Sequence, residues 1–83
     1  MKHENNIHDL LLKHGLTVQQ ASFLMDTTVS TIYKLKNGDT FPDIKMQLSL
    51  QALFGVTLED VYPQTRIEFS RIYDLIEARR GVL

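Results

Sequence analysis

The segment from Leu16 to Gly38, LTVQQASFLMDTTVSTIYKLKNG, admits few folds, because its punctuation forces two short helices close together. Thr17 is suited to N-cap the first, with Gln20 three residues on as the partner of a capping box, and Val18, Ala21 and Met25 then recur at helical spacing. Asp26, Thr27 and Thr28 interrupt that pattern. Thr28 is suited to cap a second helix, in which Ile32 and Leu35 share one face. At about 100° per residue, Val29, Ser30, Tyr33, Lys34 and Asn37 fall on the opposite arc. Gly38 then ends the helix, since glycine accepts the left-handed conformation that follows a C-cap.

This layout is that of a helix-turn-helix, in which the second helix can enter the major groove of duplex DNA. The chain around it resembles the Xre/Cro type of helix-turn-helix regulator, with the lambda-repressor-like fold. The likeness rests on LLLKHGLT at Leu10–Thr17, on the helix pair, on Thr31-Ile32 and on the Asn37-Gly38 stop. It continues through a proline-led helix and the closing segment Phe54-Gly55-Val56-Thr57-Leu58-Glu59-Asp60-Val61. Together these cover roughly residues 7 to 62.

The spacing predicts an all-α chain, with helices over about 5–14, 18–25, 29–37, 44–54, 58–62 and 66–79. The resemblance implies that residues 1–63 form a small five-helix lambda-repressor-like bundle, leaving 64–83 as an additional C-terminal amphipathic helix. Helix one carries Ile7, Leu10, Leu11 and Leu12 and ends at Gly15; Asp43 is a natural N-cap, Thr57 with Asp60 forms another capping box, and Pro63 closes the family-like part. The fourth helix has two apolar arcs, Ile44/Leu48/Ala52 and Met46/Leu50/Leu53/Phe54. The bundle can bury one of them. The tail stripe of Phe69, Ile72, Tyr73 and Ile76 also needs cover, either by folding back on its own protomer or by packing across a two-fold axis. Gln47 and Gln51 need hydrogen-bond partners if they are buried.

An 83-residue chain that is 43% hydrophobic builds one small domain with a modest core, which oligomerisation would help. No apolar run is long enough to span a bilayer and no signal-peptide layout precedes the first helix, so a soluble, cytoplasmic protein is expected. With no cysteine, disulfides and thiolate metal sites are excluded. A formal charge of −1 means that any attraction for phosphate is local. Lys34, Lys36 and Lys45 flank the second motif helix, whereas Asp39 and Asp43 work against them; these lysines form either a phosphate-facing surface or an ordinary solvated face.

Three positions depart from the family pattern. The first is Val18, where a phosphate-binding Gln is common; the second is Asp26, at a left-handed turn position usually given to Gly; the third, with its neighbour Leu24, is Phe23, where charged residues are usual. Asp is among the least penalised non-glycine residues in that conformation, so the turn is expected to survive. Phe23 points away from the Val18/Ala21/Met25 face and is either a lone exposed hydrophobe or a contact for another protein.

Other chemistries find no support. His3, His8 and His14 are spaced by five and six residues, which does not place them together on a helix as metal ligands. No carboxylate pair, Gly-rich phosphate loop or nucleophile elbow is present, Ser22 and Ser30 lack a placed base, and no enzyme or cofactor is expected. Ser22 better suits the close crossing of the two motif helices.

The resemblance therefore implies a sequence-specific regulator of transcription, a repressor acting as a homodimer on double-stranded DNA. By transfer from the motif, Val29, Ser30, Tyr33 and Lys34 take the base-contact positions. Thr17, Gln19, Thr28, Thr31, Lys36, Asn37 and Lys45 are candidates for phosphate contacts, and Phe69, Ile72, Tyr73 and Ile76 for dimerisation. The alternative is a helix-turn-helix used as a protein-interaction module, such as an antirepressor or an antitoxin, with Phe23 and the surface of the fourth or C-terminal helix meeting the partner.

Overall fold

Helix caps three residues long divide the chain in the structure as they do in the sequence. The computed structural model describes residues 2–82, with side chains at 2–64 and 71–79. Among these the chain is all-helical: α1 (Ile7–Lys13), α2 (Val18–Leu24), α3 (Val29–Lys36), α4 (Ile44–Phe54), α5 (Leu58–Val61) and α6 (Pro63–Val82). None of the described helices is long and apolar enough to cross a membrane. Thr17 Oγ1 accepts from the Gln20 N–H at 3.1 Å, and Gln20 Oε1 accepts from the Thr17 N–H at 2.9 Å, completing the expected capping box. Asp43 accepts from the Met46 N–H at 2.8 Å, and Asp60 reaches back to the Thr57 N–H at 3.1 Å. Each cap satisfies a donor that the first turn of a helix leaves without a partner.

The core joins α1 through α5. Ile7, Leu10 and Leu11 of α1 meet Ala21 and Met25, Ile32 and Leu35, Leu50 and Phe54, with Val61 and Tyr62 beneath them. Val18, Met46 and Leu53 pack against this cluster and are half-buried. Helix four thus turns its Met46/Leu50/Leu53/Phe54 arc inward and leaves Ile44, Leu48 and Ala52 exposed. Gln47 and Gln51 are half-buried and donate to the carbonyls of Pro42 and Gln47, at 2.9 and 3.2 Å.

Several sequence expectations are corrected. Of the four apolar residues of helix one, Ile7, Leu10 and Leu11 are buried and Leu12 is 67% exposed. Helix α1 begins at Ile7 rather than 5, because the amides of Asn5 and Asn6 are directed to other elements. Pro63, at the end of the bundle, occupies the first position of α6, where its missing N–H costs nothing. The last helix therefore starts three residues before the expected 66. Its described side chains, 71–79, are all exposed, Ile72, Tyr73, Leu75 and Ile76 among them, so that this stretch does not fold back on its own bundle. Phe69, assigned to the same stripe, lies outside the described side chains.

Tyr62 is 2% exposed, with its ring 4.9 Å from that of Phe41. Burial pushes its phenol up from 10.0 to about 12, because a phenolate there would lose its water. The unfolded chain releases this proton first. The resulting contribution to stability is therefore complete below pH 10 and is lost as the pH rises to about 12. Tyr62→Phe is expected to flatten the fall in stability across that interval, as read by urea denaturation at each pH; the same steep fall in the variant would assign it to other groups.

Candidate nucleic-acid interface

The α2–turn–α3 unit is assembled from side chains that pack and side chains that cap. Ala21, Met25, Ile32 and Leu35 meet in the core, and Ser22, buried where α2 passes α3, donates its hydroxyl to the Gln19 carbonyl at 2.7 Å. The turn passes through Asp26 at φ 53°, the left-handed conformation expected at this position. Thr28 then caps α3: its Oγ1 accepts from the Thr31 N–H at 3.1 Å and lies 2.9 Å from the Thr31 hydroxyl. One hydrogen bond between those two hydroxyls uses one proton and leaves the other for an outside acceptor.

With Ile32 and Leu35 buried, α3 presents Ser30, Lys34 and Asn37 to solvent, together with Tyr33 at 46% exposure. Val29, Thr31 and Lys36 are half-buried at the edges of this arc. The Lys36 ammonium lies 5.0 Å from the centroid of the Tyr33 ring, which draws its charge onto the arc. The two acids that oppose the lysines in the sequence are both engaged. Asp39 is paired with Lys2, and Asp43 caps α4.

The remaining site candidates are distributed more widely. The Thr17 hydroxyl is occupied by its capping box. Gln19 lines a shallow groove of about 430 Å³ with Leu16, Gln20, Phe23 and Leu24, and Phe23 is 85% exposed. Lys45 is exposed in the first turn of α4. Val18 packs against the core, and its side chain offers no polar atom to a phosphate. His3 and His14 rest against Phe41 and Phe54, at 5.4 Å between ring centroids in each case.

Sequence reasoning missed the N-terminal segment. Asn5 Nδ2 lies 3.0 Å from the Leu35 carbonyl and 3.3 Å from that of Lys36, at the C-terminal end of α3. The available signal was the Asn5-Asn6 pair directly before an apolar helix, a pattern that points to a local cap rather than to a partner 30 residues away. No family model matches the chain, and no curated protein matches it.

Proposed function

We propose that this chain is a sequence-specific double-stranded DNA-binding regulator of the Xre/Cro type, a lambda-repressor-like bundle that represses or tunes a promoter as a homodimer. The observation that carries this reading is the outward arc of α3: a capped helix, anchored by Ile32 and Leu35, that exposes Ser30, Tyr33, Lys34 and Asn37 on one side. In the major groove Val29 is suited to a thymine methyl, Ser30 to a donor or acceptor edge, and Lys34 to guanine O6 and N7, with Tyr33 beside them. Thr28, Thr31, Lys36 and Asn37 surround that arc and suit phosphates, and Thr17, Gln19 and Lys45 would extend the backbone contact. Gel retardation on random duplex at rising salt, followed by selection of the bound sequences, tests the reading. A salt-sensitive complex that enriches one sequence is expected; no retardation at low salt would refute it.

Dimerisation is assigned to α6. Ile72, Tyr73 and Ile76, joined by Leu75, remain uncovered on the protomer, while the Met46/Leu50/Leu53/Phe54 arc is already packed into the bundle. Because Ile72 lies outside the core, Ile72→Asp is expected to give folded monomers by sedimentation equilibrium. Persistent dimers would move the interface to another exposed face, such as Ile44 and Leu48.

A second reading, a helix-turn-helix used for protein binding, is favoured by the groove beside Phe23 and Leu24. It predicts no retardation of duplex DNA by the wild-type chain and loss of protein-partner capture in Phe23→Ser.

A further inference from the structure

The segment ahead of α1 ties together elements that are far apart in sequence. The His3 N–H donates to the Gly38 carbonyl at 2.8 Å, and the Asn6 N–H and Nδ2 donate to the carbonyls of Val61 and Asp60, each at 2.8 Å. Asn5 sits between them, half-buried. From one residue ahead of the N-cap Asn6, its Oδ1 accepts at 3.0 Å from the Ile7 N–H, the first amide of α1. Its Nδ2 faces the Leu35, Lys36 and His3 carbonyls at 3.0, 3.3 and 2.9 Å, and its two protons can serve two of these at a time. The carbonyls of a last helical turn have no partner within the helix; that of Leu35 accepts from the Gly38 N–H at 3.1 Å, and Asn5 adds a second donor from outside the α3 segment. The strap also requires its glycine: at Gly38, φ is +79° and a Cβ would stand 2.7 Å from the His3 carbonyl oxygen.

We infer that Asn5 is a positioning residue for α3, one that touches no DNA but holds the C-terminal half of the helix, and with it Lys34 and Asn37, in the attitude needed to read base edges. The inference rests on the DNA-reading function proposed above. Base recognition depends on hydrogen-bond geometry, whereas attraction to phosphates tolerates small displacements of a charge. Loosening the end of α3 therefore erodes discrimination and leaves non-specific binding nearly unchanged.

Asn5→Ser and Asn5→Asp test this as a pair. Each keeps an oxygen able to accept from the Ile7 N–H, so the first amide of α1 keeps an acceptor, and each loses the amide that reaches α3; the neutral variant separates this loss from the effect of added charge. In the free protein, hydrogen exchange at the Asn37, Gly38 and Asp39 amides is expected to accelerate, while protection in the core of α1 is retained. With DNA, the ratio of affinity for the selected site to affinity for random duplex is expected to fall about tenfold, the scale of one good base contact. The salt slope on random duplex is expected to stay unchanged.

Accelerated exchange with an unchanged ratio would make the strap purely structural and overturn the inference. Unchanged exchange would show that Asn5 does not hold α3, and would overturn it on other grounds. A wild-type protein that prefers no sequence would instead refute DNA reading itself, and with it any role for Asn5 in discrimination; the exchange measurement would still report whether the clip exists.

Discussion

Inserting about five base pairs between the half-sites of the selected duplex is expected to weaken binding by about 10²–10⁴-fold, the loss that follows when two linked contacts can no longer be made together. One bundle offers few cations to DNA: Lys34 and Lys36 on α3 and Lys45 on α4, with Val18 in place of a phosphate-binding side chain. A single protomer should therefore hold a half-site poorly, and two-fold symmetry doubles the contacts. Paired α3 helices require half-site centres about 10 base pairs apart, or a multiple of that, so the operator is an inverted repeat. Five added base pairs turn one half-site to the far side of the duplex. Competition retardation with spaced duplexes checks this result. An asymmetric site whose affinity ignores the insertion would refute the dimeric operator while leaving DNA binding intact.

Replacing Lys34 and Lys36 together by alanine is expected to cost the next largest amount. Lys34 is exposed on the arc and Lys36 is held over Tyr33, so the two side chains bring both formal charges of the last turn of α3 to one surface. If Lys34 meets a guanine, its loss removes about 1–3 kcal/mol of discrimination at that position. If Lys36 meets a phosphate, the log–log salt slope becomes shallower by about 0.9 per protomer, or about 1.8 for a dimer. Affinity measured across a salt series reads both effects. An unchanged slope and unchanged base preference would mean that α3 does not face the duplex.

What was legible in the sequence was local. The caps at Thr17, Thr28 and Asp43 join groups three residues apart, and the left-handed turn at Asp26 follows from the conformational preference of one residue type, so pattern and spacing suffice to find them. The inward faces of α2 and α3 were legible for the same reason, since Ala21, Met25, Ile32 and Leu35 repeat at the helical period. Contacts at long range were not. The Asn5 clip spans 30 and 31 residues and that of Asn6 spans 54, and no periodicity announces a side chain that leaves its own helix to close another. Tyr62 joins the core beside Val61, with its ring 4.9 Å from that of Phe41, and Pro63 opens α6 three residues before the expected start. The candidate interface was legible where it lies on α3. Its outlying members lie on other helices: Gln19 lines the groove beside Phe23 on α2, and Lys45 stands exposed on α4.

Chemical-shift mapping of backbone amides during titration with the selected duplex reports which surface meets DNA. The largest changes are expected at Val29, Ser30, Tyr33 and Lys34 and on the N-terminal turn of α3, with the amides beside Phe23 and along α6 little affected. Changes centred on Phe23 and Leu24, or on the exposed face of α4, with α3 unmoved, would contradict DNA reading by α3.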